Sequence, residues 1–154
     1  MGLLTGVKLA EQGANVALLD VNEEALQAAE TQIKEAGGKV LTLKVDIRHF
    51  DEVEAAEKKI VETFGSLDIL INAAGGMSGR CCGNCTSFEK LPIEVIDWGL
   101  DVNLRGTLYC CRAVMAGMMD LDSHLSSPAI AHGIKPPPRD GRVSLLSLHG
   151  VAPG

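Results

Sequence analysis

Three polar side chains close apolar runs, where each could bind a ligand or serve as an ordinary strand-end or helix-cap residue. Asp20 ends Asn15-Val16-Ala17-Leu18-Leu19, Asp46 follows Val40-Leu41-Thr42-Leu43-Lys44-Val45, and Asn72 ends Leu67-Asp68-Ile69-Leu70-Ile71. A carboxylate at a strand end about 20 residues beyond a glycine turn is where a βαβ unit accepts hydrogen bonds from ribose hydroxyls. Asp20 stands 18 residues after Gly2. Behind Asn72 come Ala73, Ala74 and Gly75, residues small enough to let backbone approach a ligand. In open parallel sheets, ligands sit beyond the carboxyl ends of the strands, which is where Asn72 to Gly75 would lie.

Other reactive residues do not assemble. Cys82 and Cys85 have the spacing of half a zinc site, but no second pair follows at finger spacing, so no metal is expected. Five cysteines, an odd number with two adjacent pairs, are not a disulfide framework. His149 has no carboxylate or nucleophile partner and no nucleophile-elbow glycines surround Ser147, so a hydrolase triad is unsupported. His49, in a loop, reads as solvated.

The elements that would position these residues alternate helix and strand. Gly2 to Gly13 is a helix with Leu4, Val7, Leu9 and Ala10 on its apolar face. Asn15–Asp20 is a strand, Glu23 to Ala36 a helix with a Leu26/Ala29/Ile33 stripe ended by Gly37-Gly38, and Lys39 to Val45 a strand. Asp51 to Phe64 is a helix buried through Val53, Ala56, Ile60 and Phe64, and Gly65 closes it. The run from Leu67 lacks polar alternation and reads as a strand buried on both faces. Leu91-Pro92 starts a helix that continues through Asn103 to Met119. Asp120 to Asp140, with four prolines and three serines, reads as a solvated loop or insertion. Gly141 to Ser147 is a last strand. The whole is an α/β fold, a doubly wound parallel sheet.

Composition narrows the function. At 154 residues the chain is one domain, and a net charge of −6 argues against nucleic acid or an anionic membrane surface. No apolar run reaches the length of a membrane span, and the opening residues lack a signal-peptide pattern. The expected setting is the reducing cytoplasm.

Three motifs resemble the short-chain dehydrogenase/reductase family. Asn72-Ala73-Ala74-Gly75 is similar to its Asn-Asn-Ala-Gly signature, with Ala73 in place of the second Asn. Asp101-Val102-Asn103-Leu104-Arg105-Gly106 closely resembles its Asp-Val-Asn-Leu-x-Gly signature, at the right distance from Asn72. Gly2 to Val16 resembles the segment after the glycine fingerprint, with Gly2 in the last glycine's place. The resemblance implies a Rossmann-like fold and a nicotinamide cofactor. The implied cofactor contacts are Gly2, Asp20, Asp46 (adenine amino group), Ile47 (ring face) and Asn72, Ala73, Ala74 and Gly75. NAD is preferred over NADP, because the Asp20 charge would repel a 2′-phosphate and Val21 and Asn22 supply no base. Two catalytic candidates follow: Asn103, at a helix distortion whose main chain holds a relay water, and Ser147, one residue short of the family's substrate-orienting serine. A buried Asn103 bonding to helix carbonyls is the structural alternative.

The resemblance also implies what is missing. The family's Tyr-x-x-x-Lys pair has no counterpart, since the single tyrosine, Tyr109, has Ala113 four residues on. The alignment leaves residues 1–154 as a partial dinucleotide-binding domain, truncated at both ends, without the first strand and the C-terminal strands. In the family that first strand lies between the strands ending at Asp20 and Asn72. Its loss would leave two unpaired interior edges and a chain of poor solubility. The reading is therefore an NAD(P)-dependent oxidoreductase acting on a small hydroxyl or carbonyl substrate, this chain being an incomplete or inactive copy. The alternative is a non-catalytic nucleotide-binding or interaction protein. A homo-oligomer through the 102–119 helix is the expected assembly.

Overall fold

The computed structural model describes residues 2–76, 87–123 and 143–147. Cys82, Cys85, His149 and most of the Pro/Ser-rich stretch lie outside the described residues. Four strands, β1 (Asn15–Asp20), β2 (Val40–Lys44), β3 (Ile69–Asn72) and β4 (Val143–Ser147), form one parallel sheet in the order β2-β1-β4-β3. The helices are α1 (Gly2–Glu11), α2 (Glu23–Glu35), α3 (Phe50–Phe64), α4 (Ile93–Leu100) and α5 (Thr107–Ser123). A π-helical turn, Asp101–Gly106, joins the last two.

Local chemistry explains the boundaries. The Asn22 side chain accepts from the Ala25 amide and so caps α2, where an unpaired N–H would otherwise remain. Gly65 ends α3 at φ +88°, a left-handed conformation that a side chain would strain.

Alternation along β1 divides the core in two. Val16 and Leu18 face Ala10 of α1 and Leu26, Ala29 and Ile33 of α2. Ala17 and Leu19 face Val53, Ala56 and Ile60 of α3 and Cys110 and Val114 of α5. The stripes expected on α2 and α3 are the buried ones, with Phe64 partly buried. On α1 the buried stripe is Gly2, Gly6 and Ala10, while Leu4 is 66% exposed. Small residues win that face because α1 lies close to the sheet; a Cβ on Gly6 would stand 3.4 Å from Leu18 Cδ2.

Two expectations need correction. The gap between β1 and β3 is closed by β4, which pairs with both neighbours, so the sheet has no interior edge. β3 is not buried on both faces: Ile69, Leu70 and Ile71 are only partly buried and Asn72 is exposed, because β3 is an edge strand. No described helix is long and apolar enough to cross a membrane.

Candidate cofactor site at the carboxyl rim

All four strands are parallel, so their carboxyl ends share one rim. Asp20 lies in register with Lys44, and Ser147 in register with Leu19 on one side and Asn72 on the other. The tight turn around Gly13 (φ +86°) joins the end of α1 to the start of β1. The amino terminus of α1, where Gly2 is buried, therefore lies at the same rim. Asp46 and Ile47 follow β2, and Ala73 to Gly75 follow β3. The structure thus brings Gly2, Asp20, Asp46, Ile47, Asn72, Ala73, Ala74 and Gly75, with the backbone of Ser147, to one end of the sheet.

Asp20 is the one buried charged residue of the described core, 3% exposed. Its carboxylate accepts from the Asn22 amide at 2.9 Å, and its carbonyl accepts from the Val45 amide at 3.0 Å. One turn thus ties the ends of β1, β2 and α2 together. Burying a carboxylate is costly unless hydrogen bonds compensate, so a group held here at a strand end is unusual for pure packing.

Asp46 is differently placed. Arg48 Nε donates to both of its carboxylate oxygens, at 2.9 and 3.0 Å, with Nη2 donating as well, and the Arg48 amide donates to Oδ1 at 3.0 Å. The Arg48 guanidinium holds the Asp46 carboxyl below its ordinary value, outweighing the opposing effect of burial. The Asp46 amide donates to Glu52 of α3. Ile47 is 7% exposed and belongs to the core; a Cβ on Gly106 would come within 2.5 Å of Ile47 Cδ1. The Ile47 side chain is therefore occupied by the π-turn.

That turn is the distortion expected at Asn103, but Asn103 is exposed rather than buried. Its Nδ2 donates to the Gly99 carbonyl at 2.8 Å and to the Gly76 carbonyl at 2.9 Å, and its Oδ1 accepts from the Gly76 amide at 3.0 Å. One side chain thus clamps the backbone that leaves β3. Glycine at position 75 leaves room for this clamp, since a Cβ would fall 2.8 Å from Asn103 Oδ1 and displace it.

Sequence reasoning missed three participants: Arg48, Gly76 and Cys111, whose Sγ accepts from Asn72 Nδ2 at 3.6 Å. Only Arg48, two residues from Asp46, carried a local signal. The neighbouring Cys110 is fully buried, and burial pushes its thiol up to about 11. Tyr109 makes an edge-to-face contact with Phe50 at 5.4 Å, a packing role. A cavity of about 370 Å³ lined by Ala10, Gly13, Asn15, Gly37 and Lys39 lies at the opposite rim.

Known proteins resemble the chain in sequence and in fold. The sequence profile described as short chain dehydrogenase matches residues 1–125. A 3beta-hydroxysteroid dehydrogenase from Eggerthella lenta is 34% identical over 110 residues, which is 71% of this chain and 40% of that protein. The solved structure of NAD+-bound xylitol dehydrogenase superposes with a TM-score of 0.71 at 29% identity, covering 79% of this chain and 45% of that one. An actinorhodin polyketide ketoreductase with NADPH gives 0.70 at 26% identity, covering 79% and 44%. The chain therefore spans less than half the length of these relatives. Over the part it spans, sequence and sheet rim together make it a member of the short-chain dehydrogenase family.

Proposed function

We propose that the carboxyl rim binds the adenosine side of a nicotinamide dinucleotide. The activity to which the site belongs is hydride transfer between NAD(P) and a hydroxyl or carbonyl group of a small molecule. The observation that carries this reading is the convergence of Gly2, Asp20 and Asn72 to Gly75 on one rim, at the ends of parallel strands and of α1.

The residues fit the cofactor's adenosine side. Asp20 supplies an acceptor for ribose hydroxyls, and Gly2 at the start of α1 allows a diphosphate to approach backbone N–H groups. Ala73, Ala74 and Gly75 offer backbone without obstructing side chains, and Asn103 fixes that backbone in place. Asp46 and Ile47 fit less directly, because Arg48 and Gly106 already engage their side chains. NAD is preferred over NADP: Asp20 repels a 2′-phosphate, and the nearby Arg48 guanidinium is taken up by Asp46.

When bound, the nicotinamide ring carries the hydride. Exchange of the accompanying proton needs a general acid/base; residues 1–154 hold no Tyr-x-x-x-Lys pair, and the part of the site they build serves cofactor binding. Asn103 and Ser147 would then be positioning groups at the catalytic end. The second reading is a non-catalytic nucleotide-binding or interaction protein, in which the single tyrosine, Tyr109, packs on Phe50. A homo-oligomer through the 102–119 helix accords with the exposure of Leu104, Leu108, Met115 and Met119 on that helix.

Calorimetric titration of the full chain with NAD and NADP tests the reading. We expect saturable NAD binding and weaker NADP binding. NADP binding as tight as NAD, or no binding of either, would contradict it.

A further inference from the structure

The backbone that leaves β3 is held by a side chain, and that side chain stands on a turn which the core grips at two positions. Asn103 accepts from the Gly76 amide at 3.0 Å and donates to the Gly76 carbonyl at 2.9 Å. Within the π-turn Asp101–Gly106, Val102 and Gly106 are the buried residues, while Asn103, Leu104 and Arg105 are exposed.

At Gly106 the grip comes from Ile47. The three atoms nearest to a Cβ placed at position 106 all belong to that residue: Cδ1 at 2.5 Å, Cγ1 at 2.7 Å and Cβ at 3.3 Å. Ile47 therefore lies against bare backbone. Beside Gly106, the Thr107 hydroxyl donates to the Asn103 carbonyl at 3.0 Å, which ties the end of the turn back to the clamping residue. A displacement of Gly106 would move Asn103. Ile47 follows β2 and Gly76 follows β3, strands that do not pair with each other, so the π-turn bridges two flanks of the rim.

We propose that Ile47 is a positioning residue for the far flank of the rim. Its side chain sets the π-turn at Gly106, and through Asn103 the turn sets the backbone of Gly75 and Gly76. Contact with an adenine ring would need an accessible side chain, and Ile47 is 7% exposed. The bearing of this role on cofactor binding rests on the function proposed for the rim; the chain of contacts itself is present in the free protein.

Amide hydrogen exchange at Gly76, followed by NMR on the full chain without NAD, tests the proposal. An amide bonded to an exposed side chain exchanges by local opening rather than by global unfolding, so it reports on its own clamp. Asn103→Ala calibrates the readout, since loss of one ordinary hydrogen bond implies exchange about fivefold faster. Ile47→Val removes Cδ1, the atom nearest the turn, and should speed Gly76 exchange about two- to threefold, the lower end of what deleting one buried methyl implies. Ile60→Val makes the same deletion in the same core cluster, on α3, and should leave the Gly76 rate unchanged. A second pair of variants probes the shared space. Gly106→Ala should speed exchange in the wild-type chain but slow it in Ile47→Ala, where the new Cβ refills part of the vacated volume.

A wild-type rate in Ile47→Val, or a rise just as large in Ile60→Val, overturns the proposal. So does additive acceleration in the Ile47→Ala/Gly106→Ala chain. If Ile47→Ala does not fold, the two valine variants decide alone. Because no NAD is present, a failure to bind it would count against the function proposed for the rim and leave this result standing.

Discussion

The two flanks of the sheet are built from similar residues and end up in opposite conditions. In β1, Val16, Ala17 and Leu18 are fully buried and Asp20 is 3% exposed; in β3, an equally aliphatic run stays half-buried and Asn72 is exposed. The helices follow suit. α2 buries its whole stripe, whereas the helix after β3 leaves Leu104, Leu108, Met115 and Met119 more than half exposed. Place in the sheet, interior or edge, sets burial more than composition does. The difference also separates two functions at one rim: a rigid carboxylate on the packed flank, and a backbone clamp on the open one.

The largest effect that would sharpen the contrast is truncation on each flank. Ile33→Ala, at a fully buried site, should cost about 2–5 kcal/mol in chemical denaturation, whereas Met119→Ala should change stability by no more than about 0.5 kcal/mol. Equal losses would mean that the open flank is covered in solution. Next comes Gly106→Ala. Its Cβ would fall 2.5 Å from Ile47 Cδ1 and 3.3 Å from Ile47 Cβ, too deep for a tip rotation to relieve, so about 1–3 kcal/mol should be lost.

Asn103→Ala should be milder, about 1 kcal/mol, since its hydrogen bonds are exposed. Amide exchange at Gly76 should rise more than global stability falls. The smallest effect is Arg48→Ala, which shows as pH dependence. Arg48 depresses the folded pKa of Asp46, so the stability it confers is full above the unfolded value of about 3.9 and vanishes as pH falls through the folded value. The wild type should therefore exceed the variant at neutral pH, and the two should converge in acid. A difference that persists at low pH would point to packing instead.

Much of this was legible in the sequence. The stripes of α2 and α3 are written at helical spacing, and Gly37 and Gly65 sit at positive φ where stop signals were expected. The helix distortion around Asn103 was implied by its motif. The misses share a cause, which is that they depend on neighbours distant in the chain. Nothing within Leu67 to Asn72 tells an edge strand from an interior one. Nothing within residues 143–147 says that they lie between β1 and β3. Leu4 has the hydrophobicity of a core residue, whereas close approach to the sheet selects Gly2, Gly6 and Ala10. The Asn72–Cys111 contact joins residues 39 apart, beyond the reach of any local pattern.

The most direct test of the shared rim is a backbone amide NMR titration of the full chain with NAD. The account predicts that amides at Asp20, Asp46 and Asn72 to Gly75 shift together with one saturation curve. Shifts confined to Gly13, Gly37 and their neighbours at the opposite rim would contradict it.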